Sequence, residues 1–476
     1  MTNKYPNKNK DHKALPRERS STPHERTPHD RTPRDSRGPK RPLANGVQSR
    51  LIIARAIQTV WGQGITIVDA LEKQEYYNNL SDRDRAFARN VIAMTFRHWG
   101  QVNHVLKQYL KKEPPAFIMA IMRSAATQSL FLKTPAHAVV GESVAALKAV
   151  KTAKGFAGMA NAVLRRLTET GQQHLGDVPP HVNVPKWILR HWEKDYGRME
   201  ARRIARQIMD IPPLDITLKP EKNLEEAAKS LEATPLIGTS VRRPHAGHIT
   251  QLEGFETGDW WVQDVATSLP VQILQDITGG LKDKTVFDLC AAPGGKTLQL
   301  ASYGANVTAI DKSSGRLNRL RENLTRCRLS ANIMAADVLD LPEDLGLADH
   351  IILDVPCTAT GTFRRHPEVL YNRKPKDQAA LMRLQLKMLD AASNTLKKDG
   401  YLVYCTCSLQ KEEGEGQISK FLQKRTDFRL NRILTKVCLN LDTDMIGEGV
   451  LRTQPNFWKD LGGMDGFFAA ILQKTD

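Results

Sequence analysis

The chain has 476 residues, of which 41% are apolar and 25% charged, a composition typical of soluble globular proteins with two or three domains. No run of about 18 uncharged apolar residues occurs, which excludes a membrane span, and no apolar segment follows the basic N-terminus, which excludes a secretory signal. The formal net charge of +17 favours a polyanionic partner such as nucleic acid, because Lys and Arg release counterions when they meet phosphates. The same charge is also compatible with solubility alone.

Residues 1–45 have a low-complexity composition. A pentad that begins with Thr-Pro recurs at Thr22, Thr27 and Thr32, and the segment holds many prolines, many basic residues and almost nothing to bury. Such a composition predicts a disordered basic leader. Contact with RNA and a dispensable role are both open for it.

The segment 46–172 has helical periodicity throughout. Ile53, Ile57 and Val60 recur at the spacing of one helix face, and Ser81 with Asp84 three positions later is typical of a helix start. We therefore expect an all-α bundle. Its basic residues form either a phosphate-facing surface or an ordinary solvated one: Arg83, Arg85, Arg89, Arg97, Lys148, Lys151, Lys154, Arg165 and Arg166.

Two further regions follow the bundle. Residues 173–270 begin at a proline-rich break and predict a helical connector and a small α+β module, with one helix over 223–231. From 271 to 476, strand and helix patterns alternate, which predicts a doubly wound, mostly parallel α/β sheet of the Rossmann-like kind. The candidate strands are 285–289, 307–310, 332–335, 350–355 and 401–404.

The first of these strands leads into a turn of small residues: Cys290, Ala291, Ala292, Pro293, Gly294, Gly295 and Lys296. Glycine lets the backbone approach a ligand closely, and the helix after the turn directs free amides at it. The spacing fits neither a phosphate loop nor a dinucleotide fingerprint. The three successive strands of this region each carry an acid at or near the end: Asp288, Asp311 and Asp337. Each acid alone could be a helix cap or a turn residue. Together they suit a ligand with a ribose and a cationic centre, such as S-adenosylmethionine.

The six cysteines lie at or beyond position 290, which is no disulfide framework and fits free thiols in a reducing cytoplasm. Cys405 and Cys407 are too close in sequence for a usual zinc site, and we expect no metal. Cys357 and Cys407 each follow a predicted buried strand, where active groups of open α/β sheets usually lie. The alternative is that both are buried small apolar residues.

Four motifs identify a resemblance. DLCAAPGGKT (288–297), ILDVPCTATGTFRRHPE (352–368), YCTCSL (404–409) and DGFFAAILQK (465–474) resemble the motifs of the RNA cytosine carbon-5 methyltransferases. DRDRAFARNVI (82–92) and NAVLRRL (161–167) resemble the NusB-type RNA-binding domain, which is fused to the methyltransferase in bacterial enzymes acting on small-subunit ribosomal RNA. The resemblance extends from about residue 46 to residue 476.

The resemblance implies that the protein transfers a methyl group from S-adenosylmethionine to carbon 5 of a cytosine in small-subunit (16S) ribosomal RNA, before the subunit is assembled. It implies that Cys290 to Lys296, Asp311, Asp337 and Asp354 line the cofactor site. Cys407 would be the nucleophile and Cys357 the helper in product release. Gly414 stands where many members of the family have Asn, and Glu368 stands where many have Asp. Neither position carries the chemistry.

Adding a thiolate to carbon 6 makes carbon 5 of cytosine nucleophilic, which is covalent catalysis. We expect an electropositive setting for the thiolate, from Lys296, Arg364 or Arg365, and we expect Asp354 to stabilise charge on the ring. Cys357 as the nucleophile, as in DNA cytosine methyltransferases, stays open. So does a non-catalytic RNA-binding or ribosome-assembly factor, whereas a DNA methyltransferase is disfavoured because no target-recognition region separates the motifs. We expect a monomer with an RNA partner.

Overall fold

The computed structural model describes residues 45–176, 178–431, 438–447 and 449–476. The predicted basic leader lies outside the described residues as far as residue 44. Within the described ranges, every helix is too short or too polar to cross a membrane.

The first region is a bundle of seven helices, as the periodicity predicts. Ile53, Ile57 and Val60 are at most 1% exposed and belong to one continuous apolar core. Ser81 caps its helix by accepting from the Asp84 amide at 3.1 Å. The helices are α1 (Asn45–Gln63), α2 (Ile67–Glu72), α3 (Asp82–Arg97), α4 (Trp99–Lys107), α5 (Ala116–Leu130), α6 (Ala136–Ala149) and α7 (Ala157–Leu175).

Arg97 does not belong to a phosphate-facing surface, so that part of the prediction is wrong. Its side chain is buried and donates to the carbonyl oxygens of Ile208 at 2.7 Å, Asp210 at 2.8 Å and Arg364 at 2.6 Å. Three carbonyl acceptors from the regions downstream bind the two terminal nitrogens of one guanidinium. Arg97 therefore ties the helical bundle to the connector and to the segment that follows Cys357. Of the other predicted basic residues, Arg85 is half-buried and the rest are exposed.

The connector is a pair of helices followed by a small antiparallel sheet with strand order β2-β3-β1-β4. Trp192 of the first helix is fully buried against Phe363 and near Leu409, so the connector supports loops of the next region. Asn223 caps the predicted helix here. The elements are α8 (Lys186–Tyr196), α9 (Arg198–Arg206), β1 (Leu214–Leu218), α10 (Leu224–Ser230), β2 (Thr234–Pro235), β3 (Ser240–Arg243) and β4 (Trp260–Val262).

The last region is an eight-stranded sheet flanked by helices, and the predicted fold class is confirmed. Its strand order is β10-β12-β9-β8-β5-β6-β7, with β11 also paired to β12. The strands are β5 (Thr285–Leu289), β6 (Asn306–Asp311), β7 (Asn332–Ala335), β8 (Ala348–Asp354), β9 (Leu396–Thr406), β10 (Phe428–Leu430), β11 (Val450–Thr453) and β12 (Phe467–Lys474). The helices are α11 (Val265–Thr278), α12 (Gly295–Ser302), α13 (Ser314–Arg326), α14 (Val369–Asn372), α15 (Pro375–Asn394) and α16 (Glu415–Lys424).

The parallel register places three loop-bearing strand ends side by side. β8 pairs in parallel with β5 on one side and β9 on the other, with Leu289 opposite Leu353 and Asp354 opposite Cys405. Strands buried on both faces are apolar along their whole length, which is why their sequence runs are continuous. The turn after β5, the loop after β8 and the loop after β9 therefore meet at the carboxyl edge of the sheet, where ligands bind in folds of this kind.

Candidate active site

The turn between β5 and α12 is shaped by packing. Gly294 has a φ of +108°, and a Cβ at this position would lie 2.2 Å from Cδ1 of Leu320 on α13. The neighbouring helix therefore requires glycine here, whether or not a ligand is bound. Gly295 has room for a Cβ, with its nearest neighbour, Gln263, at 3.5 Å. The structure thus shows a close approach of the turn to α13 at Gly294, and the close approach of the turn to a ligand stays a prediction.

A buried carboxyl group lies beneath this turn. Asp288 is 1% exposed; its Oδ2 accepts from Thr297 Oγ1 at 2.5 Å, whereas its Oδ1 is buried and has no partner among the described residues. Burial raises the pKa of Asp288 to about 7; Thr297 and Lys296 oppose the shift, while Asp354 and Asp311 add to it. A buried acceptor without a donor is unusual in a folded protein and fits a ligand that brings a donor or a positive charge.

Asp311, the last residue of β6, holds the turn from the side. Its carboxylate accepts from the Ala292 amide at 3.2 Å and from the Ser313 amide at 2.9 Å. Arg316 forms an ion pair with it at 3.2 Å and also donates to the Ala292 carbonyl. The Arg316 side chain is 58% exposed, whereas that of Asp311 is 4% exposed.

Asp337 lies two residues beyond the end of β7. Its carboxylate pairs with Lys312 at 2.7 Å and accepts from the Leu339 amide at 3.1 Å. The hydrogen bond from Lys312, followed by that from the Leu339 amide, lowers the pKa of Asp337. The side chain is 32% exposed, so a polar ligand can reach it from solvent.

Lys296 joins the turn to the end of β8. Its Nζ lies 2.6 Å from Oδ2 of Asp354 and 5.0 Å from the ring centre of Phe467 on β12. Burial by itself lowers the pKa of Lys296, but the Asp354 carboxylate and further acids outweigh it and raise the pKa above its ordinary value. Lys296 therefore stays charged at the centre of the site. Asp354 keeps one oxygen outside this ion pair, and its side chain is 30% exposed.

The two thiols predicted at strand ends lie side by side. Sγ of Cys357 and Sγ of Cys407 are 3.4 Å apart, with Cys357 buried and Cys407 half-buried. The hydrogen bond to Cys357 and burial raise the pKa of Cys407 well above its ordinary value, and the charges of Asp354 and Asp465 add to this effect. At neutral pH Cys407 is therefore a thiol in the free protein.

The expected electropositive setting for Cys407 is thus wrong, because each of the three cations has a partner elsewhere. Lys296 is neutralised by Asp354, and Arg365 pairs with the fully buried Asp465. Arg364 is buried and donates to the Gly462 carbonyl. Burial raises the pKa of Asp465 to about 6 against the opposing effect of Arg365, and Asp264 adds to the rise. The distance in sequence between a cation and Cys407 does not indicate which partner binds that cation in the fold.

Glu413 fixes the two thiol loops to each other. This residue is fully buried, and its carboxylate accepts from the Thr358 amide at 2.9 Å and from the Thr358 hydroxyl at 2.5 Å. It also accepts from Ser408 Oγ at 2.7 Å and from Gln385 Nε2 at 2.9 Å. Thr358 and Ser408 are the residues directly after Cys357 and Cys407. One carboxylate therefore sets the relative position of the two sulfurs.

Sequence reasoning missed Glu413, Asp465, Phe467 and Arg316. The first three lie in or beside quoted motifs, which was the available signal, but their contacts depend on chain segments far apart. Cys405, the additional thiol of β9, is fully buried and contacts the same apolar cluster as Cys407, as strand alternation predicts. The described residues contain no group of three or more His, Cys, Asp or Glu side chains that could hold a metal ion.

Comparisons with known proteins agree with this architecture. The family model "16S rRNA methyltransferase RsmB/F" matches residues 280–473, and the NusB family model matches residues 47–169. The chain is 32% identical to ribosomal RNA small subunit methyltransferase B of Xanthomonas campestris over 81% of this chain and 90% of the relative. It is also 32% identical to the protein of that name from Pseudomonas putida, over 89% and 98%.

Two solved structures share the fold. The crystal structure of PH0851 matches with a TM-score of 0.68 and 22% identity, over 91% of this chain and 99% of that one. NSun6 from Pyrococcus horikoshii matches with a TM-score of 0.53 and 21% identity, over 61% of this chain and 98% of that one. The sequence relatives decide the family: the chain belongs to the 16S rRNA methyltransferase RsmB/F family, and it is an rRNA methyltransferase with a NusB family domain.

Proposed function

We propose that Cys407 is the nucleophile of this rRNA methyltransferase, that Cys357 assists release of the product, and that S-adenosylmethionine is the methyl donor. Methylation of cytosine carbon 5 in ribosomal RNA follows from membership of the family. The observation that carries a pair of catalytic thiols is the 3.4 Å separation of two sulfurs at the ends of adjacent parallel strands. Which of them attacks is assigned from the resemblance of YCTCSL (404–409) and ILDVPCTATGTFRRHPE (352–368) to the motifs of the family.

The residues around the turn fit a cationic nucleoside. Three acids border the turn, and two of them are paired with a cation: Asp311 with the exposed Arg316 and Asp354 with the buried Lys296. The buried Oδ1 of Asp288 has no partner within the described residues, so it is an acceptor left for a donor or a positive charge of the ligand. We assign the turn 290–296 and Asp311, Asp337 and Asp354 to the cofactor. When bound, S-adenosylmethionine supplies a methyl carbon made electrophilic by a positively charged sulfur.

The attack by Cys407 turns the base into a nucleophile. Cys407 first gives up its proton to solvent, and the thiolate bonds to carbon 6 of cytosine. The electron pair of the 5,6 double bond shifts so that carbon 5 can attack the methyl carbon, whose bond to the cofactor's sulfur would break with its electron pair going to that sulfur. Asp354 is assigned to ring nitrogen 3 or the exocyclic amine: as a carboxylic acid it would donate to nitrogen 3, where negative charge builds up, and as a carboxylate it would accept from the amine. Its pairing with Lys296 fixes its position. The target base has to leave its stack to reach these groups, so an unpaired or flipped-out nucleotide is the substrate.

Release of the methylated base requires a group beside the Cys407 sulfur that removes the proton from carbon 5. Cys357, as thiolate, takes the proton from carbon 5; the 5,6 double bond re-forms, and Cys407 departs as thiolate. The distance of 3.4 Å between the sulfurs allows both of them to reach one base. Under the opposite assignment, Cys357 attacks and Cys407 assists.

The Cys357→Ala variant separates the two assignments. With unmodified small-subunit rRNA and S-adenosylmethionine, we expect it to accumulate a covalent protein–RNA adduct that survives denaturing electrophoresis. We expect Cys407→Ala to form none under the same conditions. An adduct in Cys407→Ala and none in Cys357→Ala would reverse the roles.

Methyl transfer itself is measured with tritiated S-adenosylmethionine, comparing free small-subunit rRNA with the assembled subunit. We propose free RNA as the substrate, so label should enter the free RNA faster. Bisulfite sequencing of the product then locates the modified cytosine. Binding of the RNA without any transfer of label would favour a non-catalytic assembly factor instead.

A further inference from the structure

An exposed tryptophan at the end of α1 lies outside the site described above. Trp61 is 53% exposed, and one face of its ring stacks on Trp99 with 4.8 Å between ring centres and 12° between planes. Trp99 in turn stacks on Phe96 at 5.1 Å and 4°. This ladder begins in the core and ends at the surface, where Trp61 also lines a cleft. A rigid, solvent-facing indole ring is a surface on which another planar ring can stack.

The cleft beside Trp61 is basic. It has a volume of about 500 Å³, and its charged lining residues are Lys107, Lys111, Lys112, Arg123 and one acid, Glu113. Arg123 lies 4.4 Å above the Trp99 ring and pairs with Glu113 at 3.0 Å. The three lysines are exposed and have no hydrogen bond or ion pair within the described part of the chain. The cleft therefore combines a positive charge excess with an open aromatic face.

We propose that Trp61 is a stacking platform for an unpaired base of the substrate RNA, with Lys107, Lys111 and Lys112 binding the phosphates beside it. This inference depends on the proposed function for the identity of its ligand. Aromatic faces together with cations that follow a backbone are how proteins hold single-stranded nucleic acid. Neither a purely apolar partner nor a simple anion would use both features of the cleft.

The platform is connected to the catalytic loops. The Trp61 ring centre is 6.0 Å from that of Tyr371, and Asn372 donates to the Ile65 carbonyl at 2.9 Å. Tyr371 and Asn372 belong to the segment that follows Cys357, and Arg97, which adjoins Phe96 in sequence, donates to the Arg364 carbonyl in the same segment. An RNA strand held on the platform is thus anchored against the segment that follows Cys357.

The test is RNA binding by Trp61→Ala, with Tyr76→Asn as the matched control. Tyr76 is also 53% exposed and lies in the helical region outside the cleft; its φ of +68° is one that Asn tolerates. We expect Trp61→Ala to raise the Kd and the KM for unmodified small-subunit rRNA about tenfold, within roughly five- to 100-fold, the range for loss of one stacked base. We expect Trp61→Phe to recover most of the affinity and Tyr76→Asn to bind as the wild type does. The KM for S-adenosylmethionine and kcat at saturating RNA should stay unchanged.

The salt dependence tests the lysines separately. Lys111→Ala should reduce the slope of log Kd against log salt by about 0.7, the value for one phosphate contact of a single strand. Lys398→Ala, at an exposed position within the early part of β9, should leave the slope unchanged. An unchanged slope in Lys111→Ala would show that Lys111 does not bind a phosphate and would contradict this part of the proposal.

The outcomes distinguish this inference from the proposed function. Wild-type affinity in Trp61→Ala, in a protein that methylates RNA normally, would overturn the platform and leave the function standing. Weakened binding in Trp61→Ala, in a protein whose wild type transfers no methyl group, would support the platform and overturn the function.

Discussion

Glu413→Gln tests whether the relative position of the two sulfurs matters for catalysis. The carboxylate of Glu413 is fully buried and accepts four hydrogen bonds, two at each oxygen, from Thr358, Ser408 and Gln385. Glutamine has the same shape, but it offers one acceptor oxygen and one donor group. The hydroxyls of Thr358 and Ser408, which donate to one carboxylate oxygen, must therefore reorient to accept from the new amide group. The two hydrogen bonds at the other oxygen keep their acceptor but lose its negative charge.

The magnitude follows from the number of bonds. Hydrogen bonds to a charged group contribute about 1 kcal/mol more than neutral ones, so four such bonds correspond to a loss of roughly 2–4 kcal/mol in the free energy of unfolding. A shift of one loop against the other by about 1 Å is enough to lower a rate on the order of 100-fold. We therefore expect kcat to fall about 10- to 100-fold, with little change in the KM for RNA.

The assay is urea unfolding together with single-turnover methyl transfer, and Glu412→Gln is the control. Glu412 is the preceding residue, and it pairs with Lys194, whose side chain is 71% exposed. Loss of such a surface pair costs about 0–1 kcal/mol, so the control should keep the wild-type rate. If Glu413→Gln lost stability as expected but transferred methyl groups at the wild-type rate, Glu413 would be a structural residue only.

Two further predictions concern pH. Because the pKa of Cys407 is raised, its thiolate is scarce at neutral pH, and the single-turnover rate should still be rising between about pH 7 and pH 9. Cys357→Ala removes the largest cause of that shift and should move the rise in adduct formation to lower pH; a wild-type plateau below pH 7 would contradict the assignment. For Asp288, the folded-state pKa of about 7 lies above the ordinary 3.8, so this group lowers stability as pH rises from about 4 to 7. Asp288→Asn should therefore be more stable than the wild type at pH 8 but not at pH 4; the gain at pH 8 should be a few kcal/mol, at about 1.4 kcal/mol per pKa unit. The variant should also bind S-adenosylmethionine more weakly. Equal unfolding midpoints of the two proteins at pH 8 would show that ionising the buried Asp288 costs no stability.

The five strands predicted for the parallel part of the sheet are all present. The bounds of β5 match the expected 285–289, because its uninterrupted apolar run ends where the strand leaves the core. Those of β7 match the expected 332–335, although β7 is an edge strand with no buried residue. β10 and β11 were not predicted, since each has only three or four residues and lies on the antiparallel side of the sheet. β11 also contains Arg452, a charged residue that is buried because it pairs with Glu415. Short strands of this kind have too few residues for periodicity to identify them.

The positions of the two thiols could be predicted because strand ends converge in a parallel sheet, but the charge balance around them could not. Arg365 pairs with Asp465, which is 100 positions away, and Arg97 donates to the carbonyl of Arg364, 267 positions away. A cation near a thiol in sequence carries no information on which acid neutralises it in the fold. For the same reason the raised pKa of Cys407 was not foreseen.

The role of Cys407 is tested most directly by trapping on RNA that contains 5-fluorocytosine, in which the fluorine at carbon 5 cannot leave as a proton does. With S-adenosylmethionine present, wild type and Cys357→Ala should form a covalent adduct, and Cys407→Ala should form none. Cys405→Ala is the matched control, since Cys405 is a buried thiol two positions away on the same side of the strand, and it should trap RNA normally. An adduct that persists without the Cys407 sulfur and disappears without the Cys357 sulfur would contradict the mechanism.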